Sequence, residues 1–198
     1  QSVMSALWLA GMVWLAPAAC IAAETVKRVL VIYGNAELPA VRPFDAALRS
    51  TVQQAIGHRV EFYTENQDNA RFPSMVHEEA FLALLRERYA DRKIDVLVSS
   101  GASAFDFVVA HRSRILPNVP VVYSLASRER VAARHLPPDV IGIPVDFGSE
   151  RSIDLALRLH PNARRLVVVT GAGEWERRWE KRLRAETAAL AGRLRVEF

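Results

Sequence analysis

Residues 95–103 have the sequence DVLVSSGAS, a short apolar run that ends in small polar residues. A run this short and this rich in valine is typical of a β-strand buried on both faces, as in parallel sheets covered by helices. The pattern recurs as VLVIYGN, PVVYSLAS, VIGIPVDF and LVVVTGAG at residues 29–35, 120–127, 140–147 and 166–173. In a parallel sheet the carboxyl ends of the strands lie along one edge, where ligands bind. The repetition therefore predicts a ligand-binding edge.

Segments with apolar residues at helical spacing separate these runs. One such helix presents four large apolar residues on one face, at Phe81, Leu84, Leu85 and Tyr89. A further strand, VEFYTEN, is expected at residues 60–66, and Ser149 is expected to cap the helix after the run at residues 140–147. Strands that alternate with helices in this way predict right-handed crossovers and a doubly wound, parallel α/β sheet.

The composition indicates a packed globular chain. Of its 198 residues, 51% are hydrophobic and 24% are charged, which suits one medium-sized domain or one domain and part of another. The net charge of +4 comes from arginines that are interspersed with acidic residues, as in residues 174–186. A nucleic-acid-binding surface needs basic residues on one face, so nucleic acid is not expected as a partner.

The first residues differ from the rest of the chain. Residues 6–19, ALWLAGMVWLAPAA, carry no charge and have the length of a signal-peptide core, short of the about 20 residues that span a membrane. We expect residues 1–23 to be a signal peptide or an uncleaved signal anchor, so that the chain is exported to a periplasmic or other extracytoplasmic location. Cys20 is expected to be lost with a cleaved segment, which leaves no cysteine for disulfides.

A hinge between two lobes is expected near residues 146–148. Five strand units precede this point and make a complete small sheet, whereas a helix, a strand, a helix and a started strand follow it. Residues 27–147 are therefore predicted to form a first lobe, and residues 148–198 the start of a second. RLRVEF at residues 193–198 begins like a strand and stops, so the second lobe is expected to be truncated.

No arrangement of residues in the sequence points to catalysis. A dinucleotide-binding fingerprint would need a third glycine where Glu176 follows Gly171 and Gly173, and no phosphate-binding loop sequence is present. Ser100 and Ser103 lack the flanking glycines of a hydrolase nucleophile. The histidines are isolated from one another, so neither a metal site nor a cofactor is predicted, and the chain is expected not to be an enzyme.

The carboxyl ends of the predicted strands do carry polar chemistry. The SSGA turn at residues 99–102 places two serines before a glycine and the start of a helix. Serine hydroxyls beside the free amides of a helix N-terminus suit a carboxylate or another anion, and Tyr33 and Tyr123 would supply flat walls. Small residues are also needed for tight turns alone, and this alternative is favoured at every turn except the one at residues 99–102.

Four stretches together resemble a known family. They are ARFP, LRERYADRKIDVLVSSGASAFDFV, LPNVPVVYS and GIPVDFGSERSIDLALRLHPNARRLVVVTGAG, in this order within residues 27–190. They are similar to the ABC-transporter substrate-binding-protein-like family, which has the type I periplasmic-binding-protein fold. The resemblance implies two α/β lobes that close on a small ligand. It implies ligand-binding residues in the first lobe at Gly34, Asn35, Ser100, Gly101, Ala102, Tyr123 and Ser124, and in the second at Thr170, Gly171 and Glu174.

The resemblance implies two alternative functions. The first is an exported small-molecule-binding domain for uptake or sensing, with an ABC permease as its partner in transport. The second is the extracytoplasmic sensor region of a membrane-bound histidine kinase, in which a downstream kinase module would make the full-length protein an enzyme. A flavodoxin-like or hydrolytic α/β enzyme is a third alternative. The ligand stays open among an amino acid, a small carboxylate, a sugar and a purine.

Overall fold

The structure of the protein is a computed structural model that describes residues 26–57, 59–146, 148–190 and 192–198. The predicted signal segment and residue 147 of the predicted hinge lie outside the described residues. In chain order the strands are β1 (Lys27–Tyr33), β2 (Val60–Asn66), β3 (Val96–Ser100), β4 (Val121–Ser124), β5 (Val140–Gly142), β6 (Arg165–Val167) and β7 (Arg195–Glu197). The helices are α1 (Val41–Ile56), α2 (Met75–Tyr89), α3 (Ala102–Ile115), α4 (Arg128–Ala132), α5 (Glu150–Leu159) and α6 (Glu174–Thr187), and a 3-10 turn follows at Ala188–Leu190. None of the described helices is long and apolar enough to span a membrane.

The strands form two parallel sheets. Five of them pair in the order β2-β1-β3-β4-β5, and β6 pairs with β7. In the larger sheet Tyr33 lies opposite both Asn66 and Ser100, and Ser100 lies opposite Ser124. The predicted parallel α/β fold is confirmed, and the last residues of β1, β2, β3 and β4 stand at matching positions along one edge.

Side chains from β1 are buried on both faces of the larger sheet. Leu30 and Ile32 pack into a core with residues of α2 and α3, whereas Val31 and Tyr33 pack on the other face beside α1. All four are at most 2% exposed. Burial on both faces explains the continuous apolar run in the sequence, because neither face of the strand meets water.

Two strands are shorter than the sequence predicts. The fifth strand is expected to reach Pro144, but β5 ends at Gly142, before a proline that has no N–H for the ladder. The sixth strand is expected to reach Thr170, but β6 pairs with β7 alone and ends at Val167. The apolar run in each case continues past the hydrogen-bonded strand.

Two side chains also differ from their predicted roles. Ser149 stands directly before α5, but its hydroxyl donates to Glu186 at 2.5 Å and does not cap the helix. Leu84 is 40% exposed, because α2 turns Leu82 into the core in its place. The helical periodicity is correct for Phe81, Leu85 and Tyr89, which are buried.

β5 lies close against Tyr123 of β4. A Cβ atom on Gly142 would overlap the Tyr123 carbonyl oxygen and lie 2.7 Å from two atoms of the Tyr123 ring. The carbonyl belongs to a paired strand, so it cannot swing aside as the end of a flexible side chain can. The close approach of the two strands therefore requires glycine at this position.

We expect Gly142→Ala to lower the free energy of unfolding by about 1–3 kcal/mol, the usual cost of overpacking. Gly148→Ala is the matched control, because a Cβ there meets no atom within 4 Å. It should change the free energy of unfolding by less than about 0.5 kcal/mol. Urea denaturation of both variants measures the two values, and equal effects would contradict the close approach.

Candidate ligand-binding site

Hydrogen bonds join the ends of neighbouring strands at one edge of the larger sheet. The Gly34 N–H donates to the Ser100 carbonyl at 3.0 Å, and the Gly101 N–H donates to the Ser124 carbonyl at 3.0 Å. The Gln67 N–H donates to the carbonyl of the last β1 residue at 2.8 Å. The structure thus brings together four of the predicted ligand-binding residues, which come from the ends of β1, β3 and β4.

The N-terminus of α3 opens directly onto this edge. Gly101 joins β3 to α3 with a φ of 98°, a left-handed conformation that glycine adopts without strain. No side chain caps α3 and no acidic residue lies in its first turn, whereas Ser74 and Ser127 cap α2 and α4. The first amides of a helix have no carbonyl partner within the helix. The turn that begins at Ala102 can therefore donate hydrogen bonds to an acceptor group on a ligand.

Gly34 allows the end of β1 to touch the first turn of α3. A Cβ atom on Gly34 would overlap the Ser103 hydroxyl and lie 3.3 Å from the Ala104 nitrogen. Ser103 therefore lies at this edge of the sheet, although the sequence did not place it in the predicted ligand-binding set. The position of Ser103 in the first turn of a helix expected to start near Ala102 could have identified it from the sequence.

Two serine hydroxyls at the end of β3 are buried. Ser99 is fully buried and Ser100 is 2% exposed, and neither Oγ has a hydrogen-bond partner among the described residues. Successive strand residues point to opposite faces, so the two hydroxyls lie on opposite sides of the sheet. A buried polar group without a partner costs about 1–3 kcal/mol. An unpaired hydroxyl two residues before the start of α3 suits this edge to a polar partner outside the chain.

The two tyrosines predicted as walls of the site are core residues. The Tyr123 ring packs edge-on against Phe105, with 5.3 Å between the ring centroids, and Tyr123 is 7% exposed. Tyr33 is 2% exposed, and its hydroxyl donates to Asp45 at 2.6 Å. Both rings point to sheet faces that helices cover. Each ring packs in the core beside the end of its strand, and the predicted role of Tyr123 in ligand binding stays a prediction.

Asn35 shapes the loop after β1. Its Oδ1 accepts the Glu37 N–H at 2.9 Å, while the Oδ1 of Asn66 accepts the Ala36 N–H at 3.0 Å. Arg71, in the loop after β2, pairs with Glu37. The loops after β1 and β2 are therefore tied together, and the side-chain oxygen of Asn35 is engaged in its own turn.

The three candidates from the predicted second lobe belong to the smaller sheet. Thr170 and Gly171 follow β6, and Glu174 is the first residue of α6. They stand on the carboxyl side of their strand, as the other candidates do on theirs. The structure does not join them to the group at the edge of the larger sheet, so their role in ligand binding stays a prediction.

A residue with strained backbone follows β4. Leu125 has a φ of 54°, a left-handed conformation that costs a leucine roughly 1–2 kcal/mol. Strained backbone of this kind concentrates at ligand-binding and switch regions. A leucine carries no sequence signal for a left-handed conformation, so sequence reasoning could not identify this feature.

Asp45 on α1 is held by two partners beneath the strand ends. Its carboxylate accepts hydrogen bonds from the Tyr33 hydroxyl at 2.6 Å and from Arg49 Nε at 2.8 Å, and Arg49 also donates to Thr64 at 2.8 Å. Burial opposes ionisation of the carboxyl, but the hydrogen bonds from Arg49 and Tyr33 outweigh it and lower the pKa of Asp45. This network fixes α1 against β1 and β2.

We expect Asp45→Asn to lower the free energy of unfolding at pH 7 by about 1–3 kcal/mol, because hydrogen bonds to a charged group are lost. The ionised carboxylate stabilises the fold fully above its unfolded pKa of about 3.9, and this contribution is lost as the pH falls through the lower folded pKa. In urea denaturation the difference between wild type and variant should therefore shrink from pH 7 to pH 3. Asp91→Asn, at an exposed position, is the control. A difference that is the same at both pH values would refute the role of the ionised carboxylate.

Solved structures match the fold of the chain, while no protein-family model and no curated protein matches it. The chain is similar to a conserved domain protein from Vibrio cholerae O1 biovar El Tor, with a TM-score of 0.60 and 16% identity over 87% of this chain and 56% of that chain. It is also similar to an ABC transporter solute binding protein from Bacillus halodurans C-125 with bound myo-inositol. That TM-score is 0.50, at 14% identity over 87% of this chain and 57% of that chain.

These similarities establish the fold. The alternating α/β chain with its five-stranded parallel sheet has the type I periplasmic-binding-protein-like fold of ABC transporter substrate-binding proteins. The resemblance found in the sequence is therefore confirmed at the level of the fold. The chain spans little more than half the length of either solved chain, at 56% and 57%.

Proposed function

We propose that the chain is a small-molecule-binding domain of the substrate-binding-protein type, which holds its ligand at the carboxyl edge of the larger sheet. The observation that carries this proposal is the uncapped N-terminus of α3, which starts two residues after Ser100, a residue whose buried hydroxyl has no partner among the described residues. Gly34 and Ser124, whose backbones bond to the same turn, border it on either side.

The hydrogen-bonding groups of the site determine which chemical group of the ligand it can contact. The first turn of α3 offers N–H donors from Ala102 onward, and Ser100 adds a hydroxyl donor. Asp106 is the one acidic residue of α3, and its carboxylate is already paired with Arg130 and Arg134. The ligand therefore presents an acceptor to this turn, such as a carboxylate or another anionic group.

We further propose a second wall for the site and a location outside the cytoplasm for the protein. Residues 27–147 form the first lobe and residues 148–198 contribute to the second, in which Thr170, Gly171 and Glu174 face the ligand across a hinge near residues 146–148. The domain is exported and works outside the cytoplasm, where it passes its ligand to an ABC permease or reports it to a signalling module. The similarity in fold to an ABC transporter solute binding protein supports the role in uptake, and the signalling role is the alternative.

A thermal-shift screen of the purified chain tests this function. The probes are myo-inositol, the common L-amino acids, succinate and adenine, each added in large excess. A ligand at a hundred times its Kd stabilises the native state by about 2.7 kcal/mol, which raises Tm measurably. A screen in which none of these probes raises Tm would count against small-molecule binding at this edge.

Ser100→Ala localises the binding. The free variant should be as stable as wild type or up to about 1 kcal/mol more stable, because the removed hydroxyl has no partner. Its Tm shift with the bound probe should nevertheless fall by half or more. Ser113→Ala, at an exposed position on α3, should keep the wild-type shift. If Ser100→Ala also keeps it, the site lies elsewhere.

A further inference from the structure

The turn at residues 124–128 is hydrogen-bonded on both sides. On one side, the Ser124 carbonyl accepts the Gly101 N–H at 3.0 Å, and the Ser124 hydroxyl donates to the Ser99 carbonyl at 3.3 Å. On the other side, the Ala126 carbonyl accepts the Val145 N–H at 2.8 Å. The same short turn therefore holds both the start of α3 and the segment that leads out of the larger sheet.

Three further contacts attach the outgoing segment, residues 144–146, to the turn. The Arg128 N–H donates to the Val145 carbonyl at 3.2 Å, and Ser127 forms an isolated parallel bridge with Val145. The Arg128 guanidinium pairs with Asp146 at 3.2 Å, although both side chains are largely exposed. An exposed pair adds little energy, so the backbone hydrogen bonds carry most of the attachment.

Leu125 lies between these two sets of bonds. Its φ of 54° is left-handed, and the next residue, Ala126, is fully buried and anchors the turn in the core. A non-glycine residue keeps such a conformation only where its surroundings enforce it. The hydrogen bonds to Gly101 on one side and to Val145 on the other supply that enforcement.

We infer that the turn at residues 124–128 positions the start of α3 and the outgoing segment at residues 144–146 together, so that a displacement of one displaces the other. Leu125 is the positioning residue, because a change of its φ and ψ moves the Ser124 carbonyl relative to Ala126. Hinges are commonly a few residues at the ends of elements that absorb such backbone changes. The link to ligand binding rests on the proposed function, whereas the coupling itself is a property of the free chain.

Amide exchange measured by NMR on the ¹⁵N-labelled full chain, without ligand, tests the coupling. Leu125→Gly frees the backbone between the two sets of bonds, so the amides of Gly101 and Val145 should both exchange at least about threefold faster than in wild type. Asn118→Gly is the matched control, because Asn118 is also left-handed, with a φ of 68°, but lies before β4 at the opposite edge of the sheet. It should leave both amides unchanged.

The exchange rates in these variants distinguish coupling of the two segments from a general loosening of the fold, and they do not depend on the proposed function. Faster exchange at only one of the two amides, or the same change in Asn118→Gly, overturns the inference. Leu125→Asn, which tolerates the left-handed conformation, should keep both amides within about twofold of wild type; fast exchange in this variant also overturns it. If the thermal-shift screen finds no ligand while these results hold, the proposed function fails and the coupling stands.

Discussion

The pairing of β1 with β3 is the constraint on which the candidate site depends. It sets Tyr33 opposite Ser100 and lets the Gly34 N–H reach the Ser100 carbonyl. Because β1 is buried on both faces, these backbone groups have no water to replace a lost partner. A shift of one residue would also turn the Ser100 side chain to the other face of the sheet. The contact between Gly34 and the first turn of α3 follows from this register.

The sequence was sufficient for the larger sheet but only partly for the site. Burial on both faces leaves a continuous apolar run in the sequence, so the strands were identifiable without the structure. The turn at residues 99–102 was identifiable because its serines, its glycine and the helix start are sequence neighbours. The burial of Tyr123 and the contact of Gly34 with Ser103 depend on which helix covers each strand, and the φ of Leu125 depends on its hydrogen-bonded surroundings. Local sequence does not encode such non-local packing.

Arginine–carboxylate pairs connect α3 to its neighbours. Arg112 makes a two-pronged pair with Asp139, just before β5, and this pair lowers the pKa of Asp139. Asp106, one turn into α3, accepts hydrogen bonds from Arg130 and Arg134 in and after α4. Several arginines of the chain therefore connect elements of the fold. The pairs with Arg130 and Arg134 engage the Asp106 carboxylate, which belongs to the one acidic residue of α3.

Two features at this edge lower the stability of the free protein. The Ser100 hydroxyl is buried without a partner among the described residues, and Leu125 has a left-handed backbone, each at a cost of about 1–3 kcal/mol. Among the described residues, the other non-glycine positions with positive φ hold Asp68 and Asn118, residue types that tolerate this conformation. Stability alone would favour alanine at position 100, and at position 125 asparagine, which tolerates the left-handed conformation without freeing the backbone as glycine would. Both costs fall where the strands end and α3 begins, which is the expected place for them if this edge is adapted to contact another molecule and to move when it does.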